Sequence, residues 1–324
     1  MSIAPPAISA VRRLRSDLAD YIVETPVVRC TAIEDRLGAA TEVWAKLEFL
    51  QQTGTFKARG ALAVVSHLDA KQREAGVTAV SAGNHAIATA YAAKVAGTSA
   101  KVVMLGSANP ARVDKCRSYG AEVIIVDEVH SAFEMVESIQ RQEGRYFVHP
   151  FEGPQTFTGT AMIGLEIFEQ LGQFDAVIVP VGGGGLCAGI ASALKQLCPD
   201  VKVIGVEPRG ADSMHRSFAS GRPERLDKID TMADSLGAPF ALPMSYQLCK
   251  DNVDELVLVN DDELSSAMAF LFDSMKLAVE PACAASTAAL IGPLAATVRG
   301  LKVVLIMCGS NIDWQTFAQN AGLD

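Results

Sequence analysis

Short apolar runs recur along the chain, separated by longer segments with helical periodicity. VWAKLEFL (43–50), VTAVS (77–81), KVVML (101–105), AEVIIVD (121–127), DAVIVPV (175–181), VKVIGVE (201–207), ELVLV (255–259) and KVVLIMC (302–308) read as strands. Many are β-branched and apolar on both faces, as strands of a parallel sheet covered by helices on either side must be. ARGALAVVSHL (58–68), HAIATAYAAKVAG (85–97) and AGIASALKQLC (188–198) carry helical patterns between them. That alternation predicts an α/β fold with a doubly wound, largely parallel sheet. The polar stretch ASGRPERLDKIDTMADSLGAP (219–239) follows neither period and is expected to be a long connection near a functional surface. Internal repeats, low-complexity tracts and clear linkers are absent from the sequence.

Composition narrows the classes. With 324 residues, 49% hydrophobic and 20% charged, the chain can bury a large core, and its length suits two lobes. A formal net charge of −9 argues against a nucleic-acid or anionic-membrane surface. The seven cysteines (30, 116, 187, 198, 249, 283, 308) form no CxxC and no metal-ligand spacing, which fits reduced thiols in the cytoplasm. The stretch MSIAPPAISAVRRLRSDLADYI lacks an apolar signal core, so neither secretion nor a membrane span is expected.

Three turns carry candidate chemistry. In QQTGTFKARGALAVV (51–65), Lys57 falls at the start of a helix, where the dipole and free N–H groups disfavour a cation. It should therefore be neutral, paired with an anion, or directed to solvent. In VPVGGGGLCAGI (179–190), a strand runs through Gly182, Gly183, Gly184 and Gly185 into a helix, an arrangement whose converging amides bind phosphate. Four consecutive glycines lose more backbone entropy than a tight turn alone would require. In AVSAGNHAIATAYAAK (79–94), Ser81, Gly83, Asn84 and His85 cluster at a helix start and suit a carboxylate. A dinucleotide reading competes at the glycine loop: Gly183, Gly185 and Ala188 match GxGxxA, and Glu207 ends the next strand where a ribose-binding acid would sit. Phosphate, carboxylate and amine sites in one chain point instead to pyridoxal phosphate condensed with an amino acid.

KLEFLQQTGTFKARGA, SAGNHA, HPFEGPQTFTGT, VPVGGGGLCAGI, GVEP, VEPACAAS and MCGSNID occur in an order and approximate spacing that span nearly the whole chain. This ordered set resembles the fold-type II pyridoxal-phosphate enzymes, which are tryptophan synthase β-like, in the threonine/serine dehydratase and serine racemase branch. The resemblance implies that Lys57 holds the cofactor as an imine and, once released, acts as the base at Cα. It places Phe56 beside the cofactor, Asn84 on its phenolic oxygen and Gly182 to Gly185 on its phosphate. Ser81, Ala82, Gly83, Asn84 and His85 take the substrate carboxylate loop, and Cys308 lies against the pyridine nitrogen. The implied reaction is α,β-elimination of a β-hydroxy amino acid, foremost L-threonine or L-serine, to a 2-keto acid and ammonia; 3-hydroxyaspartate and other bulky substrates are alternatives.

Departures refine that expectation. Racemases carry a second acid/base serine at the position of Ala82, and an asparagine where this chain has Phe151, so elimination should dominate over racemisation. ADSLGAP (233–239), VEPAC and Cys308 resemble the animal serine dehydratases, whereas GNH does not. In the racemase-like branch a divalent cation, Mg²⁺ or Ca²⁺, sits on a loop resembling GVEPRGADS, implying Glu207, the carbonyl of Ala211 and Ser213 as ligands. The resemblance further implies a large cofactor lobe (1–73 and 147–324), a small inserted lobe (74–146), a homodimer, and no appended regulatory domain. A nicotinamide oxidoreductase and a non-catalytic binding protein on the same scaffold are the readings from other classes.

Overall fold

The computed structural model of the chain describes residues 3–38, 41–81, 83–106 and 108–323, without the side chains of Val129 and His130. Among these residues lie strands β1 (Val27–Arg29), β2 (Glu42–Leu47), β3 (Val77–Val80), β4 (Ala100–Leu105), β5 (Glu122–Val126), β6 (Tyr146–Phe147), β7 (Ala176–Pro180), β8 (Lys202–Pro208), β9 (Glu255–Val259) and β10 (Lys302–Met307). They form two sheets, ordered β1-β2-β10-β7-β8-β9 and β5-β4-β3-β6. β1 pairs antiparallel with β2, and the other pairings are parallel. The largely parallel α/β fold expected from the sequence is thus present, divided between two sheets, with all eight anticipated strands.

The inner strands are apolar on both faces because both faces are covered, whereas the edge strands β5 and β9 are largely half-buried or exposed. In the small sheet Val102 and Met104 enter one core with Ile87 and Ala90, while Val103 between them joins Ala132, Val136 and Ile139 on the other side. The first of these cores also recruits Val11, Leu14, Leu62, Val65, Met162 and Leu165. It therefore extends beyond residues 74–146, and β6 lies across the 146/147 division. In the large sheet every residue of β7 is buried, and helices Gly185–Leu197 and Pro281–Ile291 supply much of the surrounding core. The 219–239 stretch is an irregular connection after helix Ser213–Ser220, interrupted by the 3₁₀ turn Asp234–Leu236. β1 and β6 were not anticipated, since three and two residues are too few to display a period. Among the described residues no helix is long and apolar enough to cross a membrane.

The anticipated strand 43–50 ends early, and charge explains why. Glu48 leaves the ladder in the 3₁₀ turn Glu48–Leu50 and enters a buried ionic cluster. Arg59 donates through Nε to Glu48 Oε2 (2.8 Å) and through Nη1 to Glu166 Oε1 (2.6 Å). Lys46 Nζ donates to Glu166 Oε2 (2.6 Å) and to the carbonyl of Thr25 (2.6 Å). All four charged side chains are fully buried. Two cations against two carboxylates balance, and the forked guanidinium satisfies both acids. Removing one partner strands charge in the interior, at a cost of about 3–5 kcal/mol. Glu166→Gln should therefore lower the urea unfolding free energy by roughly that amount. Asp230→Asn, which breaks an exposed pair with Lys228, should cost less than about 1 kcal/mol. Equal urea midpoints for the two variants would contradict this account.

Candidate active site

Lys57 is presented by a turn fastened to the end of β10. Thr53 and Gly54 both have positive φ (73° and 77°), which reverses the chain before the helix Lys57–Ser66. The N–H of Phe56 donates to the carbonyl of Cys308 (3.1 Å), and that of Ser310 donates to the carbonyl of Gly54 (3.1 Å). Thr55 Oγ1 accepts the N–H of Lys57 at 3.1 Å. The lysine thus begins its helix, as the sequence indicates. Its Nζ donates to the carbonyl of Pro150 (2.6 Å) and lies 5.1 Å from the centroid of the Phe56 ring. Burial draws its pKa from 10.5 down to about 8, opposed by the nearby Cys308 and Glu280. Of the three states expected for a lysine at this position, burial moves the amine toward the neutral form without reaching it at pH 7, and its Nζ is held on the Pro150 carbonyl.

The glycine loop lies on the same cavity: Phe56, Lys57, His85, His149, Thr160 and Gly185 all line it. Gly182 and Gly184 have positive φ (54° and 91°), and helix Gly185–Leu197 begins directly after them. Close approach demands glycine here as well. A Cβ on Gly183 would stand 2.3 Å from the Phe151 ring, and one on Gly185 would stand 2.6 Å from the Phe151 carbonyl oxygen. The outcome is a glycine turn without side chains at a helix N-terminus, whose backbone N–H groups are a donor set that fits a phosphate.

The third turn opens the helix Asn84–Val95. Ser81 Oγ accepts the N–H of Gly83 (3.1 Å), and a Cβ on Gly83 would come within 2.8 Å of Arg112 Nη1. Ala82 lies outside the described residues. Asn84 is buried and donates to Glu280, while His85 is buried with Nε2 2.7 Å from the carbonyl of Val148. That contact puts the proton on Nε2 and leaves Nδ1 bare. Burial, aided by Lys57, lowers the His85 pKa to about 3, and burial lowers that of His149 to about 4. Both imidazoles are neutral near pH 7. Their share of stability is complete above the ordinary value of 6.5 and falls as acid is added, because the unfolded chain then binds protons that the folded chain refuses.

Cys308 follows β10 and is 3% exposed; hydrogen bonding with Cys283 and burial hold its thiol far above the usual range, hence neutral. A neutral thiol suits a pyridine nitrogen that carries no fixed proton, so the donor and acceptor set here fits pyridoxal phosphate. Glu207 is engaged differently. Its two carboxyl oxygens accept the N–H groups of Met214 (3.0 Å) and His215 (2.7 Å), capping the helix Ser213–Ser220. Burial pushes its pKa to about 8. Ala211 and Ser213 lie on the same turn, with Ser213 Oγ buried and without a partner. No group of three or more His, Cys, Asp or Glu side chains able to hold a metal occurs among the described residues.

Further polar groups converge on the site without any periodic signal to announce them. Glu280 and Asn311 contact Asn84, and Arg112 spans from helix Pro110–Ser118 to Asp234 (2.7 Å) and to the carbonyl of Asn311 (3.0 Å). The motifs VEPAC, MCGSNID and ADSLGAP contain Glu280, Asn311 and Asp234. Nothing in sequence alone tells which atoms they would meet.

Residues 18–309 match the family model described as "Pyridoxal-phosphate dependent enzyme". The chain is 53% identical over 318 residues to the phenylserine dehydratase of Ralstonia pickettii, covering 98% of this chain and 97% of that one. It is 38% identical to the L-threonine ammonia-lyase of Thermotoga maritima, over 94% of this chain and 75% of that one. Among solved structures, maize serine racemase superimposes with a TM-score of 0.91 at 32% identity, over 99% of this chain and 98% of that one.

The lysine environment yields a titration. In protein stripped of cofactor, reductive methylation of Lys57 should rise with pH to half its limiting rate near 8, whereas surface lysines follow the ordinary 10.5. Between those two values the unfolded chain retains a proton that the folded chain has released, so this group's contribution to stability increases with pH across the window. A labelling midpoint above 10 would show that burial does not control the amine.

Proposed function

Because the chain belongs to the pyridoxal-phosphate dependent enzymes, we propose that it dehydrates and deaminates a β-hydroxy amino acid bearing an aromatic β-substituent, giving a 2-keto acid and ammonia. The observation that carries the substrate class is the 53% identity, over almost the full length of both chains, to a phenylserine dehydratase. An aromatic wall beside the glycine loop supports it: the rings of His149 and Phe151 are 4.6 Å apart, and those of Phe151 and Phe240 are 6.3 Å apart. Such edges and faces suit an aryl group better than a methyl group. Threonine is the second reading, favoured by the threonine ammonia-lyase relative. Either substrate keeps the reaction class expected from the sequence.

Pyridoxal phosphate, when bound, supplies the electron sink for charge developing at the substrate Cα. The backbone of Gly182 to Gly185 holds its phosphate, Lys57 its carbonyl carbon, and Asn84 its phenolic oxygen. Phe56 packs beside it, and the Cys308 thiol meets the pyridine nitrogen. Ser81, Gly83, Asn84 and His85 bind the substrate carboxylate. Once Lys57 no longer holds the carbonyl carbon, its Nζ, whose basicity burial lowers, takes the Cα proton, and the hydroxyl leaves from Cβ with a proton as water. The neutral His85 adds no competing charge beside the amine. The small lobe, residues 74–146, closes over the substrate and excludes water from the product while it is still unsaturated. The enzyme works as a homodimer in the cytoplasm, where its buried, unbridged cysteines are stable.

Purified wild-type protein should show visible cofactor absorption that Lys57→Ala abolishes or shifts. Phenylserine should yield keto acid and ammonia with a kcat/KM at least about tenfold above threonine, the difference expected for one well-packed aromatic ring. Greater turnover of threonine would reverse the order of the two readings. A folded protein that leaves every β-hydroxy amino acid unchanged would end both.

A further inference from the structure

Asn84 is oriented by a chain of hydrogen bonds whose polarity is determined from one end to the other. Asn311 Nδ2 donates to the carbonyl of Thr53 (2.8 Å), which can only accept. The Asn311 amide therefore cannot be flipped. Its Nδ2 also lies 2.8 Å from Asn84 Oδ1, so that atom must be the Asn84 oxygen. Asn84 Nδ2 then faces Glu280, meeting Oε1 at 2.8 Å and Oε2 at 3.0 Å. One of its two N–H groups is consumed there. The other has only a 3.3 Å contact with Ser235 Oγ, the longest in the set, and is the group free to change partners.

Glu280 is built into this position. It is 1% exposed, precedes the helix Pro281–Ile291, and also accepts the backbone N–H of Asn311. Gly309 makes room for it, since a Cβ there would lie 2.6 Å from Glu280 Oε1. A buried carboxyl group spends its solvation to occupy such a site, and its two oxygens are used on an asparagine instead of a cation.

We propose that Glu280 and Asn311 are positioning residues that lock the Asn84 amide with one N–H directed at the cofactor's phenolic oxygen. The carboxylate accepts one N–H, Asn311 fixes the oxygen, and the remaining N–H has a single direction. Thr53, in the positive-φ turn before Lys57, supplies the reference carbonyl. The lysine turn and the asparagine that share the cofactor are thereby set from one origin. The inference rests on the role given to Asn84 under the proposed function.

Glu280→Gln retains shape but leaves one acceptor oxygen for the Asn84 amide and the Asn311 backbone N–H together, so its own NH2 group opposes one of those donors, and Asn84 cannot flip without opposing Asn311. In the holoenzyme, Glu280→Gln and Asn84→Ala should each weaken cofactor binding by about tenfold, the worth of one buried hydrogen bond, and should move the visible absorption maximum in the same direction. The double variant should match Asn84→Ala alone in both readouts, because Glu280 acts through Asn84. Additive effects in the double variant, or a Glu280→Gln protein with wild-type affinity and spectrum, would overturn the proposal. Should Glu280→Gln fail to fold, Asn311→Leu is read by the same cycle against Asn84→Ala. An Asn84→Ala protein indistinguishable from wild type would instead overturn the role assigned to Asn84, and this inference with it.

Discussion

Four charged side chains withdrawn from water within a few ångströms of one another are stable only if each remains on the others, and Lys46, Glu48, Arg59 and Glu166 meet that condition. The cluster joins β2, the turn that follows it, the helix Lys57–Ser66 and the helix Pro154–Leu171. Arg59 stands two residues after Lys57, so the fork that grips two carboxylates also fixes the start of the helix bearing the reactive amine. Displacing any of these elements would expose or strand charge. Hydrophobic burial is non-directional and could not set the turn with the same definition.

Backbone approach complements this side-chain constraint. At the glycine loop and at Gly83, the positions a Cβ would take are held by Phe151 and Arg112. At Gly309 the same holds for Glu280. In each case a missing side chain lets a neighbouring group pack directly on the backbone, and the surrounding packing leaves little freedom to relax.

Much of this was legible in the chain. The eight strands announced themselves through apolar, often β-branched runs, and Lys57, Asn84, His85 and the four glycines fell in turns between a strand and a helix. What escaped was of two kinds. β1 and β6 are too short for any period, and β2 was read too long because Glu48 and Leu50 sit in an apolar-looking run while Glu48 is drawn away by Arg59. The supporting groups around Asn84 come from positions near 53, 280 and 311, and their meeting depends on how β10 is inserted. Glu207 adds a contact that no spacing announces: its carboxyl oxygens accept two backbone N–H groups at the start of a helix.

The last strand of the large sheet is also an inner one. β10 pairs with β2 on one side and β7 on the other, and beyond it lie Cys308 and Asn311. During synthesis the strands of the small sheet can pair once residue 147 has emerged, since β3 to β6 are close in sequence, with Met162 and Leu165 joining their core soon after. The large sheet must wait, with a gap at its middle, until nearly the whole chain has left the ribosome. The lysine turn, which hydrogen-bonds to the residues just after β10, lacks that anchor before then. Cofactor capture is therefore a terminal event in the maturation of this protein, and a truncated chain would lose the site along with the centre of its sheet.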